Sequence, residues 1–193
     1  AALINKLCLI ILLVDSILLV IYSAFIKRKS GFAANILVGL LTGTAFLYGE
    51  AVTLGADVIS PGALTFASLS LYPIAFGTIG GNVLRDVLSI EGDAKVGYPT
   101  LPQKIGSANA VSVAAAFFII TSLSTPLPYL LNQFTLYYLP LMLLWSVLLL
   151  YSSIRLVISA STVENVRKYE RLITMSMMLL PLSLIIEALS PVI

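Results

Sequence analysis

Leu7-Cys-Leu-Ile-Ile-Leu-Leu-Val-Asp15-Ser-Ile-Leu-Leu-Val-Ile-Tyr-Ser-Ala-Phe-Ile26 is apolar almost throughout, with Asp15 as its one charge, and Lys27, Arg28 and Lys29 follow it directly. Roughly 20 apolar residues at 1.5 Å rise cross the ~30 Å hydrocarbon core of a bilayer, so this run predicts a membrane-spanning helix ended by cations at the lipid surface. Five further runs have the same character: Phe32 to Leu54, Ala63 to Leu84, Ile105 to Leu123, Phe134 to Ile158 and Leu172 to Leu189. Barrel strands alternate in polarity over about ten residues, and these runs do not. The sequence therefore predicts an all-α fold, a polytopic transmembrane helical bundle of six spans.

Composition agrees. Of 193 residues, 59% are hydrophobic and 10% charged, and the mean hydropathy is +1.04. A soluble domain carries about 25% charged residues, so a water-soluble globule is excluded. A net charge of +2 gives no basic footprint for nucleic acid. Cys8 is the single cysteine, which rules out an intrachain disulfide, and the chain has no histidine. Any metal is then expected to be held by oxygen ligands. The chain opens Ala1-Ala-Leu-Ile-Asn5, without an initiator Met or the pattern of a signal peptide, so its first residues need not be the start of the natural protein.

Placing the charges orients the bundle. Lys27, Arg28 and Lys29 follow the first span; Arg85, Lys95 and Lys104 follow the third; Arg155, Arg167, Lys168 and Arg171 surround the connection after the fifth. That puts 10 of the 11 basic residues on one side, while the connections Ala51 to Gly62 and Ser124 to Asn132 contain none. The positive-inside rule makes the basic side cytoplasmic, including the loop from Arg85 to Lys104, and puts both termini outside. An outside N-terminus suggests an odd number of preceding helices. No internal repeat or low-complexity linker is visible, so residues 1–193 read as a single membrane domain.

Two GxxxG spacings, Gly39 with Gly43 and Gly77 with Gly81, present small residues on one helix face. They serve either helix packing or, with Gly80, room for a substrate. Asp15 is expected to be paired inside the bundle or to line a cavity. Glu50 and Glu187 fall near outer helix ends, and Pro140 and Pro181 are expected to kink their helices.

The unusual chemistry lies between Gly81 and Gly106, where Asp86, Glu91 and Asp93 stand among Arg85, Lys95 and Lys104. Carboxylates without His or Cys suit Mg²⁺, a hard cation that keeps several waters and is completed by phosphate oxygens. Neighbouring Lys and Arg suit the remaining phosphate oxygens. On one continuous helix Asp86 and Asp93 would share a face but stand about 10 Å apart, too far for one ion unless Gly92 ends the helix and turns Asp93 back. Ser89 and Asp93 form the closer pair. The alternative is a mixed-charge loop that only solvates the membrane surface.

Arg85-Asp-Val-Leu-Ser-Ile-Glu-Gly-Asp-Ala-Lys-Val-Gly-Tyr-Pro-Thr-Leu-Pro102 resembles the second Asp-rich motif and trailing Gly-x-x-Thr-Leu-Pro of UbiA-type intramembrane prenyltransferases. Tyr22-Ser23, Lys27-Arg28, Gly31, Asn35, Leu41-Thr42-Gly43 and Phe46-Leu47-Tyr48-Gly49 fit the family's middle helices. The resemblance implies a nine-helix fold in which two Asp-rich motifs face each other across a cavity. The six spans look like its last six, with the first three helices and first motif having no counterpart here, as in an N-terminally incomplete or split enzyme. Two positions depart from the pattern: Ser89 stands where relatives commonly carry Asp, and one extra residue separates Tyr22 from Lys27.

The resemblance implies transfer of a polyprenyl group from its diphosphate to an acceptor, with Mg²⁺ at Asp86 and Asp93, assisted by Glu91 and Ser89. The diphosphate would be met by Lys95, Lys27, Arg28, Lys104 and Tyr22. Ser161 to Leu172 resembles the loop of archaeal synthases that join geranylgeranyl diphosphate to geranylgeranylglyceryl phosphate. Arg167, Lys168 and Arg171 then either hold such a lipid acceptor's phosphate or anchor the loop to the membrane. An aromatic acceptor, as in quinone or haem prenylation, is the second reading. A non-catalytic transport or scaffold module is the third, though no inverted repeat supports it.

Overall fold

The computed structural model describes residues 4–55, 64, 66–159 and 162–190, and among them every regular element is helical. Pro61, Ala63 and Ser161 lie outside the described residues. Helix α1 (Lys6–Ile21) runs through a π-helical turn (Tyr22–Ile26) into α2 (Lys27–Lys29), and α3 spans Gly31–Ala51. Next come α4 (Phe66–Leu71), a 3₁₀ turn (Tyr72–Ala75), α5 (Phe76–Leu88), α6 (Ile90–Val96) and α7 (Leu101–Ile105). The C-terminal part consists of α8 (Ser107–Ser124), α9 (Leu127–Leu130), α10 (Leu139–Ile158), α11 (Val163–Ser176) and α12 (Leu179–Leu189).

Five helical rods among the described residues are long and apolar enough to cross a membrane: Lys6–Lys29, Gly31–Ala51, Ser107–Leu130, Leu139–Ile158 and Val163–Leu189. The remaining expected span is assembled end to end from α4, the 3₁₀ turn and α5. Pro73 stands in the first turn of the 3₁₀ segment, where its missing N–H prevents a regular α-helical ladder. Pro140 lies in the first turn of α10, so it starts that helix and does not kink it. Pro181 follows the interruption between α11 and α12 at Met177 and Met178, which does divide the last span. That span also begins earlier than its apolar run, at Val163, because α11 opens with a polar turn before burying Val166, Tyr169 and Ile173.

Lipid offers no hydrophobic drive for helices to associate, so close contact between small residues and hydroxyl hydrogen bonds must hold them. A Cβ on Gly39 would clash with Ile79 Cγ1, and one on Gly43 would meet the Tyr72 ring at 2.7 Å, which brings α3 against the third span. A Cβ on Gly80 would meet the Ala114 carbonyl oxygen at 2.8 Å, which seats α5 on α8. Ser122 and Ser146 join α8 to α10 at 2.7 Å, and Trp145 Nε1 donates to Ser176 Oγ at 3.1 Å to join α10 to α11. The core between them holds Val83, Phe118, Met142, Trp145 and Leu149, all buried. The outer faces are apolar, with Leu13, Ile17, Val20, Leu144, Val147 and Ile154 exposed, as a multi-pass membrane bundle requires.

Two ends can be told apart by their contacts. At one end Asn5 caps α1, accepting from the Cys8 N–H at 2.7 Å, and its amide donates to Ala51 at the close of α3. The Tyr138 hydroxyl donates to Thr125 at 2.9 Å, and Glu187 accepts from both the backbone and the hydroxyl of Thr135. At the other end Lys27 lies over Tyr98, Arg85 meets Glu170, and Arg155 donates to the Tyr169 hydroxyl at 3.2 Å. The three basic segments of the sequence thus gather at one end of the bundle.

Candidate functional site

The last turns of α5 carry Asn82, Arg85 and Asp86, spaced so that Asn82 and Asp86 share a face. Ser89 then leaves helical geometry at φ −107°, ψ 9°, and α6 begins at Ile90. The interruption expected at Gly92 therefore falls at Ser89, and Gly92 lies inside α6. Gly97 ends α6 in the left-handed region at φ 77°. The Tyr98 N–H bonds to the Asp93 carbonyl at 3.0 Å and the Gly97 N–H to that of Ala94 at 3.2 Å, the paired bonds of a Schellman cap. The chain beyond it is pinned by the Gly31 N–H, which donates to the Pro99 carbonyl at 2.9 Å. A Cβ on Gly31 would lie 3.1 Å from that oxygen, so glycine allows the approach.

These turns enclose a cavity of about 330 Å³ whose walls include Tyr22, Lys27, Asp86, Ser89 and Asp93. Asn35, nearly buried on α3, donates from Nδ2 to Asp86 Oδ2 at 2.8 Å. Ser89 Oγ donates to Asp93 Oδ2 at 2.5 Å. Lys27 Nζ sits 4.9 Å from the centre of the Tyr98 ring. Burial pushes the Asp86 carboxyl above the usual aspartate range. The Asn35 hydrogen bond opposes that rise, the Asp93 charge adds to it, and the Lys27 charge lowers it again.

Arg28, Glu91, Lys95 and Lys104 are exposed and do not line this cavity. Asn82, Arg85 and Tyr98 do line it; the sequence reading counted Arg85 among the cations suited to phosphate oxygens and gave Asn82 and Tyr98 no role there. Asn82 was legible in principle, one helical turn before Asp86. Tyr98 was not, because its placement depends on the left-handed residue before it. Arg167, Lys168 and Arg171 border a separate open groove of about 670 Å³ along α11. Asp15 accepts from the Thr44 hydroxyl at 2.6 Å and borders an apolar pocket of about 200 Å³ between α1 and α3, apart from the carboxylate cavity, so of the two expectations for it the partner inside the bundle is the one found. Gly77 and Gly80 pack against α8, whereas a Cβ on Gly81 would meet nothing within 4 Å.

A cation in the cavity would meet oxygen donors alone: the carboxylates of Asp86 and Asp93 and the Ser89 hydroxyl. Among the described residues no group of three or more His, Cys, Asp or Glu side chains is arranged to hold an ion. Two carboxylates with room to spare suit Mg²⁺, which keeps waters and takes phosphate oxygens, better than an ion requiring a full protein cage.

The UbiA prenyltransferase family matches residues 1–180 of the chain. The digeranylgeranylglyceryl phosphate synthase of Methanopyrus kandleri is 36% identical over 131 residues, which is 67% of this chain and 45% of that protein. That of Methanococcus aeolicus is 30% identical over 188 residues, 97% of this chain and 63% of the relative. A solved structure described as digeranylgeranylglyceryl phosphate synthase in membranes superimposes with a TM-score of 0.81 at 25% identity, covering 96% of this chain and 63% of that one. The chain spans less than two-thirds of the length of these relatives.

Proposed function

Because the chain belongs to the UbiA prenyltransferase family, we propose that it supplies the cavity in which a membrane enzyme ionises a polyprenyl diphosphate and transfers its geranylgeranyl group to a lipid acceptor such as geranylgeranylglyceryl phosphate. The observation that carries this reading is the convergence of Asp86 and Asp93 with Lys27, Tyr22, Asn35 and Asn82 on one cavity, at the basic end of an apolar bundle. We take that end as cytoplasmic on the charge distribution.

Asp86, Asp93 and Ser89 are the groups that would hold Mg²⁺, which when bound neutralises charge on a departing diphosphate. Asn35 fixes the Asp86 carboxylate in position. Lys27 faces the same space and meets phosphate oxygens directly, while Tyr98 holds its ammonium by cation–π attraction. Bond cleavage leaves an allylic cation that water would capture, so the apolar helices beside the cavity serve to keep the transfer dry. Arg167, Lys168 and Arg171 on α11 are the cations available to an acceptor's phosphate. Glu91, Arg28, Lys95 and Lys104 stand outside the cavity and are left to the surface.

The test is Mg²⁺-dependent consumption of labelled geranylgeranyl diphosphate by the chain in lipid, with mass spectrometry of the products. Loss of consumption in D86A/D93A is expected. Undiminished consumption in that variant refutes the reading, and an exclusively aromatic product from a mixture with 4-hydroxybenzoate refutes the lipid acceptor.

A further inference from the structure

Arg85 borders two spaces at once, the carboxylate cavity and a narrow groove between α5, α8 and α11 that contains Gly81, Phe118, Glu170 and Thr174. Its guanidinium is engaged on both sides. Nε lies 3.4 Å from Glu170 Oε1, and Nη1 donates to Asn82 Oδ1 at 3.2 Å. Glu170 is itself held, accepting from the Thr174 hydroxyl at 3.1 Å through the same oxygen. The Glu170 side chain is 16% exposed and that of Arg85 57%, so the carboxylate is the fixed member of the pair and the guanidinium the one that is steered.

A guanidinium is a rigid planar fork, so fixing one edge fixes where its other nitrogens point. With the Asn82 carbonyl oxygen turned to Arg85, the NH₂ group of that amide is the end turned away from the guanidinium, and it donates and cannot ligate a cation. Asn82 lines the cavity one turn before Asp86, and its donors therefore complement an anion.

We propose that Glu170 is a positioning residue that acts through Arg85 to orient Asn82, so that Asn82 donates to a phosphate oxygen in the cavity and does not serve as a cation ligand. This rests on the cavity being a diphosphate site. It gives α11, the helix with the Arg167, Lys168 and Arg171 groove, a structural hold on the diphosphate wall.

The test uses the whole chain in detergent with two separate probes, inorganic pyrophosphate by calorimetry and Mn²⁺ alone by electron paramagnetic resonance. E170Q keeps the size of the side chain and removes its charge; E170D keeps the charge. Losing the half-exposed Arg85–Glu170 pair predicts pyrophosphate binding weaker by up to about fivefold in E170Q, Mn²⁺ binding within about twofold of wild type, and recovery of most of the pyrophosphate affinity in E170D. N82D, which replaces the donors with a carboxylate, is expected to weaken pyrophosphate and tighten Mn²⁺. Unchanged pyrophosphate binding in E170Q overturns the inference, and so does equal weakening of both probes in E170Q and E170D, which would mark a packing role. A wild-type chain that binds Mn²⁺ but no pyrophosphate overturns the diphosphate reading and the inference together.

Discussion

The Lys27 N–H donates to the Tyr22 carbonyl across a π-helical turn, and both side chains line the carboxylate cavity. A Tyr and a Lys five residues apart fall on different faces of an α-helix at about 100° per residue. The wider turn absorbs the extra residue and restores a shared face, which is the usual form of a π-bulge at a functional position. K27M is expected to weaken pyrophosphate binding about tenfold through loss of a charge-assisted contact. Deletion of Ala24 converts the turn to α-helical spacing and should keep binding within about threefold. An Ala inserted after Ala24 turns the pair apart and should weaken binding as K27M does. Calorimetry on the three variants checks the set, and tight binding by the insertion variant would refute the role given to the turn.

Asp86 gives a stability prediction with a definite sign. Burial raises its folded-state pKa above that of an unfolded aspartate. Between the two values the folded state binds more protons, so stability falls as pH rises through that window and levels off above it. D86N is neutral at every pH and lacks this slope. It should be more stable than wild type at neutral pH, with the two converging as pH drops below the ordinary aspartate range. Thermal unfolding of both proteins in detergent across the acid range measures the difference. A wild-type protein more stable than D86N at neutral pH would show that Asn35 and Lys27 outweigh burial.

The bundle was legible because a span is a property of composition over a long window: the runs beginning at Leu7, Phe32, Ile105 and Phe134 all contain long apolar helices. Its interruptions were not. The breaks at Tyr72–Ala75 and at Met177–Met178 depend on where a local hydrogen bond is lost, and the amphipathic start of α11 does not register as apolar. Asp86, Glu91 and Asp93 were readable as a carboxylate cluster from residue type, and the pairing of Asp86 with Asp93 and of Tyr22 with Lys27 from a resemblance. Their convergence required three backbone events invisible to composition: the π-turn, the break at Ser89 and the left-handed cap at Gly97. Charge type cannot distinguish cavity from surface in a short loop, which is why Lys95 and Lys104 looked equivalent to Lys27.

The glycines separate packing from open space. A Cβ on Gly80 would strike the Ala114 carbonyl, a backbone atom with nowhere to go, and one on Gly39 would strike Ile79 near its branch point. G80A and G39A should each destabilise the protein by roughly 1–3 kcal/mol, the usual cost of overpacking. G81A meets nothing within 4 Å and removes a helix-interior glycine, so it should be neutral or stabilising by up to about 1 kcal/mol. Reversible unfolding in mixed micelles would rank the three, and a G80A protein as stable as G81A would refute the close α5–α8 packing.

Ser89 offers a sharper probe of the cation reading than removal of either carboxylate. Its hydroxyl donates to Asp93 Oδ2 at 2.5 Å, with the Arg85 carbonyl 2.9 Å away as the alternative acceptor for the same proton, so in the absence of a cation it tethers a carboxylate. S89D replaces that donor with a negative charge facing Asp93 and, across the cavity, Asp86. With no cation present the charges repel, and S89D should unfold at lower temperature than wild type by a margin that shrinks in high salt. With Mn²⁺ present the added carboxylate becomes a ligand, and affinity should rise on the order of tenfold, since charge count tunes such sites. S89A loses the tether and the neutral hydroxyl ligand together, and its Mn²⁺ affinity should be no higher than that of wild type. Titration by electron paramagnetic resonance distinguishes these cases. An S89D protein that binds Mn²⁺ no better than S89A would mean that the cavity does not gather its carboxylates around a cation.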